Sequence, residues 1–220
     1  MMRTLTSQEL RTALRSGTVA ITAMDLSHAP FKQAQLAGLD LAGARLRGAD
    51  LRGADLQDAY LQYADLRHSD LRQAMLVFAI LRGADLRGAN LTRARLFRAR
   101  LAGADLRGAC LFAADLRGAQ LYRARLEGAD LRRALLWDAN LEDAVLIGAD
   151  PRGARASATE WRRAIRTPGE AARAVERAAR DPQASARAER DLLEPDLRED
   201  SIRRQLLFLR WLVRSGRLTP

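Results

Sequence analysis

The chain has 220 residues, with 37 Lys and Arg against 27 Asp and Glu, a formal net charge of +10. Its single cysteine, Cys110, excludes an internal disulfide. The N-terminus lacks the apolar core of a signal peptide, and the apolar stretch at 206–213 is short and broken by Arg210. A soluble, cytoplasmic protein is therefore expected, with no membrane span.

Residues 1–23 are expected to form an N-terminal cap. Within them 5–16 read as a short helix: Thr6 and Glu9 have capping-box spacing, Leu10 and Leu14 share a face, and Gly17 suits its end. Val19 and Ile21 then lead into a segment of a different kind, 24–158.

There, leucine occupies every fifth position from Leu36 to Leu146, 23 times without a miss. Alanine usually stands two residues before it, and often Asp or Asn one before, as in Ala49-Asp50-Leu51-Arg52-Gly53. A helix repeats every 3.6 residues and a strand every two, so a period of five fits neither. Ala and Leu, two apart, point to the same side of an extended segment. The residue between them and the two after it face outward if the chain turns between pentads. Four turns close a square, about 20 residues per coil, and stacked coils pair edge to edge at roughly 4.8 Å. Leucines then fill the bore, with alanines beside them.

After Gly153 the pattern decays, although Trp161 still falls on the five-residue count and suits a plug for the open bore. Residues 159–220 are expected to be helical. Pro168-Gly169 is a break, 170–180 and 184–193 read as weak helices, and 197–214 is the strongest, with Asp196 as N-cap. Ile202, Leu206, Leu209 and Val213 line one side of it, and Phe208 and Trp211 add apolar surface. A helix this apolar must be buried, either as a cap on its own rod or against a second copy.

The repeat resembles the pentapeptide-repeat family, whose consensus is A-(D/N)-L-x-x. The resemblance covers 24–153 and implies a right-handed quadrilateral parallel β-helix of about six and a half coils, with the i and i−2 positions inward. Met24, Leu39 and Ser69 replace alanine, Phe31 replaces leucine, and Pro151 ends the leucine series. The resemblance also implies that members can dimerise through the C-terminal end. Qnr-type, MfpA-like and albicidin-resistance members protect DNA gyrase from topoisomerase poisons, the first two as acidic rods resembling DNA.

Positions twenty apart share a face. The first face carries Arg47, Arg67, Arg87 and Arg107 at i+1, beside Asp65, Asp85 and Asp105 at i−1. The second repeats the scheme with Asp50, Asp70, Asp130 and Asp150 beside Lys32, Arg52, Arg72 and Arg132. Both read as solvated ion-pair ladders. Met75, Val77, Phe78, Ile80, Phe97, Leu135 and Trp137 take outward positions on the third face and its corner, and Tyr60, Tyr63 and Tyr122 lie on the fourth. Arg93, Arg95, Arg98 and Arg100 crowd one coil of the same band. Outward apolar residues clustered this way point to contact, either with the chain's own C-terminal helices or a second copy, or with a foreign partner such as an acidic protein surface or a nucleic acid.

Catalysis has little support. His28 and His68 fall two coils apart, too far to share a metal, and no acidic or Cys ligand pattern accompanies them. No nucleophile elbow or phosphate-cradling loop is present. Cys110, at an outward i−1 position, reads as an incidental replacement. The expectation is a non-enzymatic, rigid interaction module without cofactor or metal, binding a protein through its aromatic and arginine band. Two alternatives stand beside it: a gyrase- or topoisomerase-binding protein, as the resemblance implies, and direct nucleic-acid binding through the arginines. The coil carries 19 basic and 16 acidic groups over 24–153, a near balance that fits an acidic DNA mimic poorly. Nucleic-acid binding demands strong salt dependence.

Overall fold

The computed structural model describes residues 25–157 together with Trp161 and Ala164, all within the first of the chain's two units, Met1–Ala174. The helices expected at 5–16, 170–180, 184–193 and 197–214 lie outside the described residues, and with them Ile202, Leu206, Phe208, Leu209, Trp211 and Val213.

Parallel bridges join each i−1 residue to the one twenty positions on, without interruption from Asp25↔Arg45 to Leu135↔Arg155. One coil is therefore four pentads, and the rod is a four-sided parallel β-helix. The pentad 64–68 shows why five residues suffice. Ala64 N–H closes a turn onto Leu61 O (3.2 Å), Asp65 N–H reaches back to Ala44 O (2.9 Å), and Leu66 N–H donates forward to Asp85 O (2.8 Å). His68 N–H donates to Arg87 O (3.0 Å), and Arg67 N–H is taken by Asp65 Oδ1 (3.2 Å). All five backbone donors are satisfied, which a buried or crowded backbone requires.

The inward positions are dry. Leu86 and Leu91, at mid-rod, are 0% exposed, as are Ala84 and Ala94. Phe31 is buried in a leucine position. Ser69, the one buried polar residue described, donates its hydroxyl to Leu66 O at 2.7 Å, so its replacement of alanine leaves no orphan. Trp161 packs half-buried against this core.

The corners fall at i+2, in the left-handed region. Gly48 and Gly83 sit at φ 64 and 61, and each has a ring from the preceding coil lying over it: a Cβ would come within 2.6 Å of the His28 ring or 2.7 Å of Tyr63. Other corners hold bulky residues at the same torsion, including Phe78 (φ 59) and Arg98 (φ 54). One placement differs from the sequence expectation. Ile80 bridges Tyr60 and Arg100 and so belongs to the fourth face rather than to the third or its corner.

Candidate functional site

Ion pairs run along much of the first two faces, although Arg47 and Lys32 act on Asp65 and Asp50 only through longer-range attraction. Arg67 forks onto Asp65 and reaches Asp85 at 3.5 Å. Arg87 forks onto Asp85 and reaches Asp105 at 3.8 Å, and Arg107 forks onto Asp105. The second face repeats this with Asp50–Arg52–Asp70–Arg72 and Asp130–Arg132–Asp150–Arg152. Hydrogen bonds from its own-pentad arginine hold Asp65 below the usual carboxylate range despite partial burial, and the Arg152 guanidinium brings Asp150 down to about 2. Like charges stacked at strand spacing are tolerable because each is interleaved with its opposite.

Each described Asp or Asn at i−1 also accepts the i+1 N–H of its pentad, at 3.0–3.3 Å: Asp25, Asp40, Asp50, Asp55, Asp65, Asp70, Asp85, Asn90, Asp105, Asp115, Asp130, Asn140 and Asp150. This is an Asx turn in every consensus pentad. Through the mid-rod the two halves of the section differ. On the first and second faces Asp65, Asp70, Asp85, Asn90 and Asp105 all cap their turns. On the third and fourth, Tyr60, Met75, Ile80, Arg95 and Arg100 stand at i−1 and bring no such acceptor.

The aromatic band occupies the half that is uncapped from Tyr60 to Arg100, while Asp115, between Arg95 and Leu135 on the third face, caps its own turn. Met75, Val77, Arg95 and Phe97 lie on the third face, with Phe78 and Arg98 at its corner toward the fourth. Phe97 meets Phe78 edge to face, centroids 6.0 Å apart at 71°, and Arg98 and Arg117 lie over its ring at 5.3 and 5.7 Å. Phe78 and Trp137 remain 44% and 45% exposed, the latter two coils further along the same column as Phe97. The fourth face holds Tyr60, Ile80, Arg100 and Tyr122, with Arg123 stacked on Tyr122 at 4.9 Å. The structure therefore brings Phe78, Phe97, Arg98 and Trp137 into one column pair. It sets Tyr63 apart at the far corner of the fourth face and Arg93 at the corner between second and third.

Phe112 is a feature the sequence reading passed over. It interrupts the second-face ladder, with Arg132 and Arg133 over its ring at 5.6 and 5.8 Å, and borders a shallow groove with Arg72, Thr92 and Arg93. The signal was present in the sequence as the gap Thr92–Phe112 between Arg72 and Arg132. Cys110 beside it contacts Thr92 Oγ1 at 3.2 Å. Among the described residues no three His, Cys, Asp or Glu gather as a metal site, and no helix is long and apolar enough to cross a membrane.

Repeat number, inward pattern and register define a class, the four-sided solenoids built from five-residue units. The pentapeptide-repeat family model matches eight copies between residues 22 and 159, more than half of the chain, and the protein belongs to that family, whose members adopt a right-handed quadrilateral β-helix. Among solved structures it is similar to the pentapeptide repeat protein Rfr23 of the cyanobacterium Cyanothece 51142, at 30% identity and TM-score 0.32, over 49% of this chain and 64% of that one. The chain thus spans under two thirds of that relative. It is also similar to HetL of Nostoc sp. strain PCC 7120, a protein involved in heterocyst differentiation regulation (29% identity, TM-score 0.23, 68% of this chain and 92% of that one). A third is QnrB1, a plasmid-mediated fluoroquinolone resistance protein (20% identity, TM-score 0.39, 61% and 80%). Comparison with curated proteins found no match.

Proposed function

We propose that the protein is a non-enzymatic, rigid interaction module that binds a protein partner through the band centred on Phe97. The observation carrying this is the exposed cluster itself. Phe78 sits edge-on to Phe97, two guanidiniums stack over the same ring, and Trp137 stands free on the same face. Aromatic and Arg side chains are the usual anchors of binding hot spots. Phe78 and Arg98 also hold corners at positive φ, where glycine serves elsewhere at no steric cost. That position projects both side chains outward from the rod, which suits them for contact.

A gyrase-binding role by DNA mimicry needs an uncompensated acidic stripe. The ladder aspartates of the first two faces are instead tied to arginines in their own pentads, which weighs against that mode. The test is the variant Phe97→Ala/Trp137→Ala beside a ladder variant neutralising Arg47, Arg67 and Arg87, each probed by affinity capture from cell extract and against purified gyrase. The aromatic variant is expected to melt like the parent and to lose its partner, and the ladder variant to keep it. Loss of binding only in the ladder variant would instead indicate an anionic polymer.

A further inference from the structure

The uncapped turns of the band have a chemistry of their own. In the consensus pentads one carboxylate or amide oxygen, supplied from i−1, accepts the i+1 N–H, and most such aspartates also take a fork from the arginine at i+1. On the third face Val77, Phe97 and Trp137 follow Met75, Arg95 and Leu135, and their N–H groups find no acceptor among the described residues. On the fourth, the N–H groups of Gln62, Arg82 and Ala102 are in the same position, on three consecutive coils. Gln62, Val77, Arg82, Phe97 and Ala102 are only partly covered and Trp137 is exposed, as outward i+1 positions. Arg93, Arg95 and Arg98 form no ion pair among the described residues, unlike Arg67, Arg87 and Arg107 of the first ladder.

We propose that this half of the rod is a docking surface for an acidic polypeptide segment, whose Asp or Glu side chains take in trans the place that Asp and Asn hold in cis in the consensus pentads. This rests on the protein-binding reading above and names the chemistry of the partner. Each docked carboxylate would accept an i+1 N–H and a neighbouring guanidinium, the same pair of donors that Asp65 and Asp85 already receive. Charge-assisted bonds of this kind are the stronger class, and Arg favours planar carboxylates. Donors on successive coils lie roughly 4.8 Å apart, close to the 5–6 Å between acidic side chains three or four apart on a helix. The edge-on Phe78–Phe97 pair then offers an apolar seat between the charges.

The design of the test follows from the capping rule, because Asn caps as well as Asp (Asn90 to Thr92 N–H at 3.1 Å, Asn140 to Glu142 N–H at 3.0 Å). Gln120 instead turns its amide to Gly118 O. Met75→Asn/Ile80→Asn reinstalls two caps without changing charge, and Met75→Gln/Ile80→Gln is the matched control that does not. The probe is a fluorescently labelled peptide of alternating Glu and Leu blocks, followed by anisotropy, beside a single-stranded oligonucleotide of equal charge. The Asn pair is expected to weaken peptide binding about tenfold and the Gln pair less than twofold. Equal effects of the two pairs would overturn the trans-cap, and a Phe97→Ala loss in the same assay would leave the protein-binding reading standing. Binding of the oligonucleotide but not the peptide would overturn the acidic-segment proposal. An intact aromatic variant that still captures its protein partner would instead remove the reading beneath it.

Discussion

Leu86→Ala tests the fold at its most confined point. Leu86 is 0% exposed, and the bridge register stacks it between Leu66 and Leu106, themselves 0% and 1% exposed. Its N–H is fixed to Asp105 O at 2.7 Å, so the backbone around it is held from the next coil. Truncation removes three carbons, about 2.4 kcal/mol at roughly 0.8 kcal/mol per methylene. A cavity term is added, because four bridged sides leave little room for collapse, and the total should reach about 3–5 kcal/mol. Urea unfolding followed by far-UV circular dichroism reads this as a lower midpoint at unchanged slope. A reduced slope would mean that the rod had split into separately melting ends, as linear repeats can. A loss below about 1 kcal/mol would refute the inward assignment, and a spectrum dominated by helix would refute the solenoid.

Two further outcomes are expected. Asp50, Asp65, Asp70, Asp115, Asp130 and Asp150 are all held below the ordinary aspartate value of 3.8 by their arginines, Asp150 at about 2. Groups depressed on folding stabilise above their unfolded pKa and lose that contribution as pH falls through the folded one. The melting temperature should therefore hold down to about pH 4 and drop between there and about pH 2; a flat profile over that window would show the ladders to be energetically silent. Gly103→Ala should cost about 1 kcal/mol, the loss expected where Ala is placed at positive φ, since its corner at φ 66 is otherwise open. Gly83→Ala should lose a similar amount, because the Tyr63 ring that its Cβ meets at 2.7 Å is 64% exposed and can turn aside; a much larger thermal shift would show the ring to be held in place.

The period, the inward positions, the face assignments and the paired ladders were legible because each pentad solves the same local problem. A leucine at i and an alanine at i−2 must point inward in every coil, so one pentad predicts all. The aromatic band was legible as departures from that rule. The capping contrast was not, since it depends on which i+1 N–H finds an acceptor, a property of the folded turn rather than of composition. Ile80 was misplaced because i−1 residues next to a corner read like corner residues until the bridges to Tyr60 and Arg100 fix the column. Phe112 escaped notice as a lone aromatic on a charged face; only stacking by Arg132 and Arg133 gives it a role.

The twenty-residue register has a consequence for how such a rod can change length. Adding or removing one whole coil leaves every outward column aligned, so the protein can grow as a stack without disturbing what it displays. A change of five residues keeps each leucine in the bore and each backbone ladder intact, yet turns everything beyond it by a quarter of the circumference. Trp137 would then leave the column of Phe97 while the core registered nothing. Core and display are thus indexed by different units, five residues for one and twenty for the other. A rod of this type can lose its surface pattern while remaining fully folded.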